Sequence, residues 1–357
     1  MRKYIFCIVL ITFLMIFSTY AQNDSIENPD EVIDTLQADF KLFSDEEVLD
    51  ISLRFDITEY RKNRTKNEYI KALLTYHINE KDSINKEIRI KSRGASRSQI
   101  CGFPPMRLNF KAKDSAKTDA MRIEKLKLVT HCNSGNENNL LKEYLIYKLY
   151  NVLTDYSFRV RLLKMNYINT RKKDKPIQYF AFVIEPIEFL AERTNTYPVL
   201  SNNLSQANIQ SEIMDRMAIF NYMVGNTDWA VPNQHNCKIL TQKLEPSRVG
   251  IIVPYDFDYS GLVNASYAIP NEALNIKSVQ ERIFQGICRS EQEYMNALKE
   301  FSNKKDDFYK IVNEFKYLDE RIKKDMIEYL DQFYSEFNKR NSIVYGLLKN
   351  CKEIPVK

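Results

Sequence analysis

This sequence has no Gly-rich loop, no internal repeat and no Cys-x-x-Cys pair. Without Cys-x-x-Cys spacing, its scattered cysteines argue against a zinc site. Beyond the first residues no apolar run approaches the roughly 20 residues of a membrane-spanning helix. There is also no strong excess of either charge: the formal net charge is +5 and Arg2 and Lys3 supply two of those charges. An imbalance that small excludes the electrostatic footprint of a nucleic-acid binder.

What is present begins with an export signature. Arg2 and Lys3 precede a nearly unbroken apolar run from Tyr4 to Phe17, and Thr19-Tyr20-Ala21 offers small residues around a cleavage point after Ala21. Tyr20-Ala21-Gln22, just after that run, holds no Cys, so no lipid attachment site is expected. The reading is a signal peptide over 1–21, a polar flexible leader over 22–41, and a periplasmic or secreted protein with no membrane span after cleavage. Five cysteines then remain in an oxidising compartment. Cys101 and Cys132 are the expected disulfide partners, since both fall in a strand-rich half.

From Leu42 the apolar pattern alternates. Leu49 to Phe55, Tyr69 to Tyr76, Glu87 to Lys91, Pro104 to Lys111 and Lys125 to Thr130 read as strands, with a turn at Ser92 to Arg97. Leu140, Leu141, Tyr144, Leu145 and Leu149 share one helical face. Strands resume over Arg159 to Asn169 and Gln178 to Glu185. Beyond Glu185 the stripes are helical, first through Ile213, Met217, Phe220 and Val224 to a stop at Gly225, and after Asp258 to the end. The expected architecture is α+β and two-lobed: an antiparallel-sheet lobe with one helix over 42–184, and a mainly helical lobe over 185–357.

Four segments carry the chemistry: Arg93-Gly94-Ala95-Ser96-Arg97; Pro105-Met106-Arg107-Leu108-Asn109-Phe110; Gly225-Asn226-Thr227-Asp228 with its sequel His235-Asn236; and Pro254-Tyr255-Asp256-Phe257-Asp258. In this order they resemble the CotH kinase-like family, named for spore-coat protein H. The resemblance spans about Leu42 to Asn264 and implies an atypical kinase-like fold. It implies Asp228 as the carboxylate that orients an acceptor hydroxyl and takes its proton. Asn236 becomes a ligand of Mg²⁺ or Mn²⁺. The loop after Asp228 is longer than the family's pattern, which leaves Asn233 as a rival.

Asp256 is the second metal ligand, with Asp258 as its alternative, because Mg²⁺ takes hard oxygens and keeps several waters. Lys127, paired with Glu143 on the following helix, is the expected phosphate anchor; Lys125, Lys111 and Arg107 are rivals. Arg93 to Arg97 would cover the phosphates by charge, having only Gly94 for close backbone approach. Adenine would meet backbone groups near Glu185 and Ile187. Trp229, His77 and His131 read as packing residues. The implied activity is transfer of the γ-phosphoryl group of ATP to a hydroxyl, on a protein of the envelope. A kinase-fold scaffold without turnover and an AMP transferase are the alternatives.

Overall fold

The computed structural model describes residues 42–43, 46–77, 79, 81–110, 123–201, 203–244, 249–337 and 342–353. The expected signal peptide, the leader and Lys111 lie outside that set.

The first half alternates short helices with strands: β1 (Leu49–Phe55), α1 (Ile57–Lys62), β2 (Ile70–His77), β3 (Ser83–Ser92), α2 (Arg97–Ile100), β4 (Met106–Phe110), β5 (Lys125–Val129), α3 (Glu137–Leu153), β6 (Val160–Asn169) and β7 (Ile177–Ile184). The seven strands close into a barrel in the order β1-β2-β3-β4-β5-β7-β6. Every pair is antiparallel except β1 with β6, which run parallel from Leu49 opposite Leu163 to Phe55 opposite Asn169.

The expected two-lobed kinase-like arrangement with an antiparallel-sheet lobe is therefore wrong: the sheet is mixed and closed on itself. A period of two assigns faces, not neighbours. Nothing in the alternation of β1 says that its second edge is taken by a strand 114 residues away.

Alternation does fill the barrel. Leu49, Ile51, Leu53 and Phe55 of β1 face inward with Ile88, Ile90, Leu108, Leu126, Leu128, Met165 and Val183. One end is stoppered by aromatic rings: Phe55 packs edge-on to Tyr60 at 5.5 Å and Phe103 to Tyr167 at 4.7 Å. The Tyr60 hydroxyl donates to the Pro104 carbonyl at 2.8 Å, which satisfies the one polar atom this ring brings inside. The outer face of β6 and β7 carries Val160, Leu162, Phe182 and Ile184 onto Tyr144 and Tyr147 of α3, so that helix joins the barrel to the second core.

That core holds α4 (Ile187–Arg193), α5 (Ser211–Val224), α6 (Glu291–Asn303), α7 (Lys305–Asn313), α8 (Glu320–Ser335) and α9 (Ser342–Asn350). With them lies a small sheet in the order β10-β9-β8, made of β8 (Thr196–Pro198), β9 (Cys237–Gln242) and β10 (Ile251–Pro254); α4 packs on β8 and α5 on β10. No helix among the described residues is long and apolar enough to cross a membrane.

Cys101 and Cys132 are bonded, as their place in the strand-rich half suggested. Cys288 and Cys351 form a second bridge that ties the last helix back, and Cys237 is a buried free thiol. The first bridge spans 31 residues. Replacing both of its cysteines by Ser is expected to lower unfolding free energy by about 3–4 kcal/mol, measured by urea unfolding under oxidising conditions.

Candidate active site

The loop that carries Asp228 begins where α5 must stop. Gly225 sits at φ 67°, and a Cβ there would lie 2.1 Å from the Tyr329 hydroxyl, so only glycine fits. Asn226 is buried. Its amide donates to Asn221 Oδ1 at 2.9 Å and its own Oδ1 accepts the Asp228 N–H at 3.1 Å, which fixes the Asp228 backbone.

The chain then folds back on itself. Ala230 and His235 exchange backbone hydrogen bonds at 3.0 and 2.9 Å, bringing His235 and Asn236 to the Asp228 carboxylate. His235 Nε2 lies 2.8 Å from Asp228 Oδ1, while Asn236 Nδ2 donates to Asp228 Oδ2 at 2.9 Å and to its carbonyl at 2.8 Å. Asn233 does not join them: it is exposed, and its Oδ1 accepts the His235 N–H at 3.2 Å within the turn. The extra loop length is thus absorbed by a tight return. With its NH₂ spent on Asp228, Asn236 keeps its Oδ1 as a hard oxygen donor.

Asn236 also reaches toward the second carboxylate segment. Its carbonyl accepts the Tyr255 N–H at 2.9 Å, just beyond the Cys237–Pro254 pair of β9 and β10. Next in the chain, Asp256 adopts a left-handed φ of 64° and donates its N–H to the Tyr147 hydroxyl at 2.8 Å. That backbone turn separates two neighbouring carboxylates: Asp256 stays 28% exposed while Asp258 is buried.

Between these groups lies a buried guanidinium. Arg97 Nε donates to Asp258 Oδ2 at 2.6 Å, its Nη2 donates to Glu143 Oε2 at 2.7 Å, and Asp256 Oδ1 lies 3.5 Å away. One ligand atom from each of Glu143, Asp256 and Asp258 falls within 4.8 Å of the others, a set able to hold a metal ion. Glu143 Oε1 is buried and has no partner. Burial pushes the Glu143 and Asp258 carboxyls up, Arg97 pulls both down, and each gains a further rise from the neighbouring carboxylates. Three carboxylates against one guanidinium favour a second positive charge.

Glu143 therefore pairs with Arg97, not with Lys127 as expected from the sequence. Arg97 was expected among the residues that cover phosphates; nothing in the spacing marked it as the partner of Glu143, 46 residues on, or of Asp258. His235 was also missed as a partner of Asp228. A His seven residues past an Asp carries no signal until the intervening loop closes.

Lys127 points out of the barrel. Its ammonium lies 4.6 Å from the centre of the Tyr255 ring, and that of Lys238 lies 5.7 Å from the same ring. The Lys127 pKa falls to about 7: burial is the largest cause, Arg93 lowers it too, Asp256 opposes, and Lys238 and Arg107 add to the fall. Four cationic side chains so close together make a place for an anion. Lys125 is exposed and outside this group.

Burial pushes the Tyr259 phenol up, a bond with Ser96 opposes this, and the Asp258 and Asp228 carboxylates add to the rise, so both act on one hydroxyl. Glu185 follows Ile184, the register partner of Lys127. Its carboxylate faces away from this group: both oxygens accept from the Arg193 guanidinium, at 2.8 and 3.0 Å, and one also accepts the Arg159 N–H. Trp229 is buried, and His131 is stacked on Tyr179 and Phe103.

No family model and no curated protein matches the chain. Among solved structures it is similar to the Helicobacter pylori proinflammatory kinase CtkA, with a TM-score of 0.38 and 12% identity. That match covers 68% of this chain and 93% of the other.

Removing the guanidinium tests its place at the centre of the carboxylates. Arg97→Met is expected to lower stability by about 3–5 kcal/mol near neutral pH, since it strands buried carboxylates. Unpaired, they bind protons more tightly folded than unfolded, so the deficit should be largest at pH 8 and shrink toward pH 5. Melts across that range would show it, and a deficit that is flat with pH would contradict it.

Proposed function

We infer that this chain binds ATP with Mg²⁺ or Mn²⁺ and transfers the γ-phosphoryl group to a hydroxyl, on a protein acceptor. The supporting observation is the hydrogen-bonded path from Asp228 through Asn236 to Tyr255 and Asp256, with Lys127 over the Tyr255 ring. It gathers a proton acceptor, two hard oxygen ligands and a cationic patch, the parts phosphoryl transfer requires.

In this reading Asp228 accepts the proton of the acceptor hydroxyl as its oxygen attacks the γ-phosphorus. The bond to the β,γ-bridging oxygen breaks and ADP leaves with the electron pair. Asn236 Oδ1 and Asp256 would hold the metal, whose charge stabilises the leaving phosphate. Lys127 and Arg93 bind phosphate oxygens, and backbone groups following Glu185 receive the base. The two disulfides support a periplasmic or secreted location.

A second reading is a protein that binds nucleotide without turnover. It is favoured by one observation: both Asp228 oxygens already accept or share a hydrogen bond.

Asp228→Asn should lose phosphoryl transfer by about 10²–10⁴-fold while the melt still rises with ATP and Mg²⁺. Asp256→Asn should lose both the transfer and most of that rise. Mass spectrometry of the acceptor separates a gained phosphoryl group from a gained AMP. A wild-type melt unmoved by ATP and metal would end the nucleotide reading.

The Lys127 pKa of about 7 adds a pH signature. At pH 8 the free amine is mostly neutral, and bound phosphates favour the ammonium, so binding should take up protons and weaken as pH rises. Calorimetry in buffers of different ionisation enthalpy should detect the uptake, and Lys127→Met should abolish it.

A further inference from the structure

Beside the aromatic stopper of the barrel lies a cleft of about 510 Å³, and Phe103 belongs to both. Small-ligand pockets run from roughly 300 to 1,000 Å³. None of the lining residues belongs to the candidate active site. The last turn of α1 and the turn after it bring Arg61 and Arg64 to the cleft. Neither guanidinium has an ion-pair partner among the described residues, and no carboxylate is among those that line the space. Arg64 Nε is buried and has no hydrogen-bond partner.

His131, just past β5, lines the same cleft. It is 4% exposed, its ring stacked on Phe103 at 5.0 Å and on Tyr179 at 3.7 Å, and its buried Nδ1 has no partner. Its pKa falls to about 4, with burial the larger cause and Arg61 adding to the fall. The ring is therefore neutral at pH 7 and can carry its proton on Nδ1 as a donor. Packing accounts for the stacked rings but leaves Nδ1 and Arg64 Nε unsatisfied, and buried donors without an acceptor cost stability. An oxyanion in the cleft would answer both. The frame around them is already fixed: Cys101 is bonded to Cys132, the Phe103 N–H donates to the Cys132 carbonyl at 2.8 Å, and the Gly102 N–H donates to Asn133 Oδ1 at 2.7 Å.

Two guanidiniums with no opposing carboxylate match a dianion, and phosphate oxygens suit the guanidinium fork. A phosphate alone fills little of the space, and half-buried Ile177 and Tyr179 of β7 offer an apolar side to the rest of a ligand. We propose that this cleft binds a phosphomonoester, its phosphate at Arg61, Arg64 and His131 Nδ1 and its organic body against Ile177 and Tyr179. This site is independent of the nucleotide reading, and neither depends on the other.

Calorimetry of the full chain with phenyl phosphate, inorganic phosphate and benzoate tests it. Phenyl phosphate should bind with one molecule per chain, about tenfold more tightly than either of the others, because inorganic phosphate lacks the ring and benzoate lacks the second charge. Arg61→Gln, at an exposed position, and Arg64→Gln should each weaken phenyl phosphate about tenfold, the effect of one charge-assisted contact. Lys127→Met should leave phenyl phosphate binding unchanged, which separates this cleft from the nucleotide site. Folding of each variant is checked by melting, and should Arg64→Gln not fold, Arg61→Gln still decides. No saturable binding by the wild type, or binding unmoved by the arginine substitutions, overturns the site, and so does binding that falls in Lys127→Met alone. Equal affinity for inorganic phosphate overturns the organic body, and equal affinity for benzoate overturns the phosphate.

Discussion

The candidate site is built around the Arg97 guanidinium. It comes from α2, a single turn between two barrel strands, and it grips Glu143 of α3 and Asp258 beyond β10. Two segments that lie 46 and 161 residues further along the chain are thereby held to it at one point. A buried ion pair of this kind is a poor source of net stability, because desolvation offsets much of the attraction. Its value is geometric. With Asp258 held by Arg97 and the Asp256 backbone held by the Tyr147 hydroxyl, Asp256 is left as the partly exposed carboxylate of the cluster.

Charge is segregated across the site. Carboxylates collect around Arg97, while Lys127 and Lys238 lie over Tyr255 and Arg93 and Arg107 act on Lys127. Tyr255 belongs to both sides: its ring meets the ammonium groups and its backbone N–H is bonded to Asn236. A substrate that is itself divided into an anion and a bound cation suits such a division better than a neutral one.

Much of the fold could be read from the sequence where local chemistry decides. Leu49 to Phe55 announces a strand, the stripe from Leu140 to Leu149 a helix, and Gly225 a helix stop, each from neighbours within a few residues. Closure could not be read, because it rests on pairing between β1 and β6. In the site, the resemblance put Asp228 and Asn236 in one loop, but that loop's extra length left Asn233 in competition; the Ala230–His235 bridge brings Asn236, not Asn233, to Asp228. Lys127 was expected beside Glu143 because kinases carry the anchoring Lys on the strand before the helix that bears its Glu partner, and these two residues satisfy that order. The structure gives Glu143 to Arg97, since a fully buried carboxylate takes the partner that can follow it inside with several donors.

The parallel seam between β1 and β6 has a consequence for biosynthesis. As the chain leaves the ribosome, β1 acquires β2 at once, but its other edge has no neighbour until residues through Asn169 have been made. A strand waiting with one bare edge invites pairing with foreign chains. The late strand must also dock in the sense opposite to a simple hairpin, which raises contact order and slows the final step. Yield during expression should therefore hinge on how long that edge is kept from partners.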